Sequence, residues 1–309
     1  MSRSFAIIMG ITLMYAAPLI YTALGGVISE NAGVVNIGLE GMMTFGALIA
    51  ATVGYYYQNP WLAFIAGGLA GVSLALIHAI ACVSFAADHI ISGIAINFIG
   101  PGLALFAARI FFKGATMTTP IPMDKKIPRS LDKLFTDGSI YQIALNQYDT
   151  VYLAFILVFI VWFILYKTKL GLRIRAVGEH PQAADTLGIN VYRIKYISVL
   201  LSGLLAGFGG AAMSLAVVSN FRETLISGQG YIALAAMIFG KWKPHGALLA
   251  CLLFGAAQGL AVHLGGTGIQ ISSTVLNMLP YVITLLTLVI FVGDGGSGPE
   301  ANGKPFEKN

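Results

Sequence analysis

An all-α, polytopic transmembrane bundle is the expected fold, on three observations. Of 309 residues, 57% are apolar and only 10% are charged, where a soluble domain of average usage carries about 25% charged residues. The mean hydropathy is +0.81. The few charges are clustered, which leaves long charge-free blocks: Ser4 to Ser29, Gly41 to Ala87, His89 to Ala108, Thr150 to Tyr166, Tyr196 to Phe221, Thr224 to Gly240 and Pro244 to Gly293. Crossing a hydrocarbon core about 30 Å thick takes roughly 20 apolar helical residues. The longest blocks therefore hold two crossings each, and the total comes to about 8 to 10 spans. Segments this long are helices and not the short alternating strands of a barrel.

The elements follow in chain order. Arg3 precedes an apolar run longer than a signal-peptide core and without a small-residue cleavage site, so it reads as a retained first span. Gln58-Asn59-Pro60 breaks the second block and Gly265-Gly266-Thr267-Gly268 the last. The 113–149 stretch, with five basic residues and four acids, is nearly balanced in charge. The 167–195 stretch is not: Lys167, Lys169, Arg173, Arg175, Arg193 and Lys195 stand against Glu179 and Asp185. The positive-inside rule places it, with Lys241 and Lys243, in the cytoplasm. Counting crossings from there puts 113–149 and Gly265 to Thr274 outside. Residues 1–293 form one transmembrane domain, and 294–309 a polar cytoplasmic tail. The side of the N-terminus depends on whether Glu30 to Glu40 is a loop or part of a broken helix. The net charge of +5 and pI near 9.1 report this topology and not nucleic-acid binding, because the basic residues sit at the ends of membrane segments.

Catalytic and metal chemistry find no support. Cys82 and Cys251 lie in membrane blocks without a C-x-x-C or a His or acidic neighbour at ligand spacing, and read as packing residues. Gly228-Gln229-Gly230-Tyr231-Ile232-Ala233 fits the letters of a dinucleotide fingerprint without the strand or βαβ unit it requires. Gly240-Lys241 lacks the spacing of a phosphate loop, so the chain is not expected to bind ATP. His78, His89, His180, His245 and His263 are scattered over different blocks. No catalytic residue and no metal ligand is assigned.

Two further features bear on helix packing and on a candidate solute path. Gly67/Gly71, Gly203/Gly207 and Gly255/Gly259 have the small-x-x-x-small spacing that lets membrane helices approach closely. Ser29 to Gly41 places two acids, two asparagines and three glycines between spans, and Asn97 sits in the middle of another block. Polar groups at membrane depth are costly unless they face water, the bundle interior or a partner. Moreover, Gly38-Leu39-Glu40-Gly41, an apolar run, a turn and a Gly-x-x-x-Gly span are echoed by Gly228-Gln229-Gly230, the Lys241 to Pro244 turn and another such span. On the assigned topology the two copies cross in opposite directions, and inverted repeats with interrupted segments are how many transporters build a midplane site. Asn36, Glu40, Asn97 and Gln229 are the candidate substrate-pathway residues.

On the cytoplasmic side, Pro181 suits the first turn of a helix, Ala183 and Ala184 its continuation, and Gly188 a left-handed end. A helix of about two turns is too short to be stable alone in water and makes sense if it docks. Gln182-Ala183-Ala184-x-x-x-Gly188 resembles the E-A-A-x-x-x-G coupling motif of ABC importer permeases, with Gln in place of Glu. Together with Ala23 to Gly26, Asn36 to Gly41, Gly171 to Val191, Ile226 to Ala236 and Phe239 to Trp242, the chain is similar to the branched-chain amino acid/simple sugar permease family. Within it, the resemblance is greatest to the smaller permease subunit of bacterial nucleoside importers.

That resemblance implies a multi-pass protein of the bacterial cell membrane working by alternating access. Its implied partners are a second, larger permease subunit, a cytoplasmic ABC ATPase that carries ATP and Mg, and an extracytoplasmic substrate-binding lipoprotein. The chain itself would bind no cofactor and, beyond lipid and nucleoside, no nucleic acid. Glu179, Gln182, Ala183, Ala184, Asp185 and Gly188 would couple to the ATPase. A simple sugar or an amino acid is the alternative substrate in the same family. An ion-coupled secondary transporter using Glu40, or a membrane-embedded enzyme, would be the alternative classes.

Overall fold

A computed structural model describes residues 3–134, 139–266 and 298–306, with positions 275, 278, 281–283, 285, 286 and 289 between them. The helices are α1 (Arg3–Asn31), α2 (Leu39–Tyr57), α3 (Pro60–Ala79), α4 (His89–Phe111), α5 (Ile140–Leu145), α6 (Asp149–Lys167), α7 (Lys169–Glu179), α8 (Pro181–Thr186), α9 (Val191–Ala212), α10 (Gln229–Phe239) and α11 (Pro244–Gly266). α3 and α9 each run on into a π-helical turn, Ile80–Ser84 and Met213–Val217. The chain is thus an all-α membrane bundle. Six described helices are long and apolar enough to cross a bilayer: α1, α3, α4, α6, α9 and α11. α10, with 11 residues, spans only about 16 Å, half of a hydrocarbon core. Of the expected Gly265 to Thr274 loop, Gly265 and Gly266 belong to α11, and the remainder lies outside the described residues.

The break between α2 and α3 follows from local chemistry. Gln58 adopts a left-handed conformation at the end of α2. Asn59 accepts hydrogen bonds from the Trp61 and Leu62 N–H groups, and Pro60 occupies the first turn of α3.

α1 and α9 cross antiparallel at the centre. A Cβ on Gly25 would lie 2.6 Å from the Ser202 carbonyl oxygen, and one on Gly209 would lie 2.8 Å from that of Pro18. Each central helix carries a second antiparallel partner through a glycine seam. Gly67 and Gly71 of α3 face Gly207 and Gly203 of α9, with a Cβ on Gly71 only 2.1 Å from the Gly203 oxygen. Gly255 and Gly259 of α11 lie against Thr12, Ala16 and Ile8 of α1. The pairings α3 on α9 and α11 on α1 are the same arrangement used twice, which gives the sequence echo a three-dimensional counterpart. Aromatic rings fill the centre: Phe64 stacks on Phe208 at 4.5 Å, with the Tyr21 ring edge-on to both.

The bundle has two ends. At one, Asn31 meets Trp242, Gly178 and Gly33 meet Ala301, and Lys241 and Lys243 emerge. This is the basic end. At the other, Gly10 packs on α5, Tyr56 bonds the Phe111 carbonyl, and Thr118 and Ile121 pair with Phe221 and Ser219. Glu30 to Glu40 is therefore a break: α1 reaches the basic end, residues 32–38 turn back into the bundle, and α2 starts at Leu39. The first helix begins at the end opposite the basic one.

Candidate functional site

α2 and α10 both start inside the bundle after a glycine, Gly38 and Gly228, and neither N-cap offers a side-chain hydrogen bond. The first N–H groups of a helix have no partner within it and attract negative charge. Glu40, in the first turn of α2, supplies that charge to α10. Its Oε1 accepts from the Gly228 N–H at 2.5 Å and its Oε2 from the Gly230 N–H at 2.6 Å. The backbones touch there, since a Cβ on Gly230 would lie 2.6 Å from Glu40 Cα. Asn97 of α4 does the reciprocal task for α2: its Oδ1 accepts from the Gly41 N–H at 2.8 Å, and its Nδ2 donates to the Ile37 carbonyl and the Tyr231 hydroxyl, each at 2.9 Å. Asn97 lies eight residues into α4, about 12 Å along the helix. Two interrupted helices thus meet N-terminus to N-terminus deep in the membrane, bound through one carboxylate.

The other two pathway candidates lie on different sides of this junction. Asn36 is fully buried, donates to the Ser202 hydroxyl at 2.9 Å, and leaves its Oδ1 without a partner among the described residues. Gln229 lines a cavity of about 400 Å³ on the side away from the basic end. Its walls include Tyr15, Arg222, Thr224, Gln258 and Tyr281. Gln258 donates to Gln229 Oε1 at 3.0 Å. Composition and spacing did not single out Gln258, although a Gln in the charge-free Pro244 block was the available signal.

At the basic end, α7 and α8 are two short helices joined at His180. Pro181 opens α8, and Gly188 closes it at φ +78° while its N–H bonds the Asp185 carbonyl. α8 sends two kinds of side chain in opposite directions. Pro181 and Ala184 (2% exposed) pack into the core, whereas Gln182, Ala183 and Leu187 (81% exposed) face outward. Asp185 is half-buried, and Glu179 Oε2 accepts from the Glu300 N–H at 3.4 Å.

Residues 298–306 pack as a strap across this end. The Ala301 N–H bonds the Gly178 carbonyl and the Gly303 N–H that of Gly33. Asn302 donates to Glu30 at 2.9 Å beside the Trp242 indole N–H, which donates to the same oxygen at 2.6 Å. Lys195, only 2% exposed, donates to the Lys304 carbonyl, and Phe306 packs edge-on to Tyr192. The strap joins α7 to the ends of both halves. Its polar composition gives no sign of this, because most of the contacts are made by backbone.

Among the described residues no group of three His, Cys, Asp or Glu could hold a metal. Cys251 is buried and free. Cys82 does have a histidine neighbour, contrary to expectation. His78 stands four residues earlier on the helix and approaches the thiol at 3.6 Å, while bonding Ser92 and the Val35 carbonyl. The i, i+4 spacing brings the two together.

A glycine-seamed bundle of two opposed halves, with interrupted helices meeting inside and a short helix presented at one end, is the architecture of a membrane permease. The chain belongs to the family described as branched-chain amino acid transport system / permease component, whose model matches residues 8–292. It is a multi-pass membrane protein and a permease component, not the ATPase, of an ABC transporter, which works as a multi-subunit complex. It is 47% identical over 315 aligned positions to the guanosine ABC transporter permease protein NupQ of Bacillus subtilis (strain 168), covering 98% of this chain and 97% of that protein. It is 42% identical to the nucleoside ABC transporter permease protein NupC of Lactococcus lactis subsp. cremoris (strain MG1363), covering 99% and 98%.

Proposed function

We propose that this chain is a transmembrane permease subunit of an ATP-driven nucleoside importer in the bacterial cytoplasmic membrane. The relatives' substrates support the solute class. The observation that carries the mechanism is the junction at Glu40, where one carboxylate joins the starts of α2 and α10, so that movement of either interrupted helix bears on the other. The basic end faces the cytoplasm by the positive-inside rule, which puts the N-terminus and 113–149 outside.

A separate ATPase, carrying ATP and Mg, docks on α8. Gln182, Ala183 and Leu187 meet it, Ala184 and Pro181 transmit its movement into the core, and Gly188 sets the turn. Glu179 and Asp185 lie at the margin of this contact, Glu179 against the strap. A second, larger permease completes the membrane pore, and an external lipoprotein delivers the nucleoside. The solute descends past Gln229 toward the junction, whose geometry Glu40 and Asn97 maintain, and leaves past Asn36. A neutral solute calls for amides, hydroxyls and aromatic faces and not for a ladder of charges, and the spans hold few ionisable groups. The test is co-purification with the ATPase followed by nucleoside-stimulated ATP hydrolysis and uptake. Uptake that persists without the ATPase and collapses with the ion gradient would overturn the reading.

A further inference from the structure

We propose that the cavity between α1, α10 and α11 is the station at which the permease holds the nucleobase, and that Gln258 reads a hydrogen-bond donor on the edge of the base. This rests on the nucleoside-importer reading and goes beyond it by locating and specifying the site. Gln258 lies 14 residues into α11, about 21 Å along a membrane helix, where an uncompensated amide is unfavourable. It is 6% exposed. Its Nε2 is committed to Gln229, and its Oε1 has no partner among the described residues. A buried carbonyl oxygen kept without a donor is disfavoured in the empty cavity and relieved by a ligand that brings one.

The remaining walls fit the same ligand. Tyr15 and Tyr281 offer aromatic faces, and Tyr281 is held by donating to the Ser227 carbonyl at 2.9 Å. Stacking on such faces tolerates any base. A carboxamide matches the donor and acceptor edge of a purine, and Arg222 and Thr224 remain for carbonyl and hydroxyl groups. The cavity of about 400 Å³ is within the range of small-molecule sites. Gln258 also sits one hydrogen bond from the junction, because Gln229 is flanked by the two glycines that donate to Glu40. A base bound to Gln258 thereby bears on the contact between the two halves.

The experiment measures equilibrium binding of radiolabelled inosine and of purine riboside, which lacks both the ring N–H and any exocyclic donor. It uses the membrane complex of both permeases and the ATPase, purified without the capturing lipoprotein. Wild type binds inosine about tenfold more tightly than purine riboside, the worth of one neutral hydrogen bond. Gln258→Met removes that difference by weakening inosine alone. Gln229→Met breaks the same glutamine pair but keeps the Gln258 acceptor, and retains the preference. Equal weakening of both ligands by Gln258→Met, or loss of the preference in both variants, would make the pair a structural tie and overturn the proposal. A wild-type complex that binds neither nucleoside would also overturn the proposal, whereas an ATPase that no nucleoside stimulates even after the capturing lipoprotein is added back would overturn the importer reading itself.

Discussion

Replacing Glu40 by alanine tests whether the two halves are joined as described. The carboxylate takes one N–H from Gly228 and one from Gly230, at 2.5 and 2.6 Å, and is buried. Hydrogen bonds to a charged group are worth about 1.5–3 kcal/mol each, and their loss strands one buried and one half-buried donor at the start of α10. The expected destabilisation is therefore about 3–6 kcal/mol, a large share of the roughly 5–15 kcal/mol that holds a protein folded. Glu40→Gln keeps one acceptor but turns an amide N–H toward the second donor, so it should fall between wild type and Glu40→Ala. The assay is thermal unfolding of the purified complex alongside nucleoside uptake in cells. Melting should fall in the order wild type, Gln, Ala, by at least about 6 °C for Ala, and uptake should fall in the same order. A Glu40→Ala complex that melts within about 2 °C of wild type and transports normally would refute the junction.

Gly71→Ala would set a Cβ 2.1 Å from the Gly203 oxygen, so α3 and α9 must part by about 1 Å at a cost of about 1–3 kcal/mol; the melting temperature reads it. Asn97→Leu orphans the Gly41 N–H and the Ile37 carbonyl, at about 1–3 kcal/mol each. Uptake and melting should fall together, and lost uptake with unchanged melting would show that Asn97 serves the solute and not the helix start. On α8, Leu187→Asp should abolish nucleoside stimulation of the ATPase without lowering the melting temperature, because the side chain is exposed. Ala184→Asp should instead prevent assembly, because it buries a charge. Expression and melting of the two variants separate a docking face from an anchoring one.

The spans were legible because hydropathy and charge act block by block, and the Gln58 to Pro60 break because capping and proline geometry are local. The left-handed end of α8 at Gly188 was legible for the same reason. The glycine pairs announced close packing, but that Gly67 and Gly71 meet Gly207 and Gly203 depends on tertiary contact that spacing does not encode. Glu40 and Gly228 are 188 residues apart, so a polar residue at membrane depth could be noticed while its task as a helix cap could not. Asn97 is a similar case: its position was conspicuous, and its three partners lie on α10 and at the start of α2. The strap is not legible in the sequence because backbone groups make most of its bonds, nor is Gln258, because its meaning lies in an unpaired oxygen.

The central claim is that α8 lies on the inner face of the membrane and is the surface through which an external motor drives the bundle. Leu187→Cys tests it directly, since the only native thiols, Cys82 and Cys251, are buried. A membrane-impermeant maleimide should leave this cysteine unlabelled in intact cells. It should label it in inside-out vesicles stripped of the ATPase, and added ATPase should protect it. Labelling in intact cells, or labelling that the ATPase does not affect, would contradict the account.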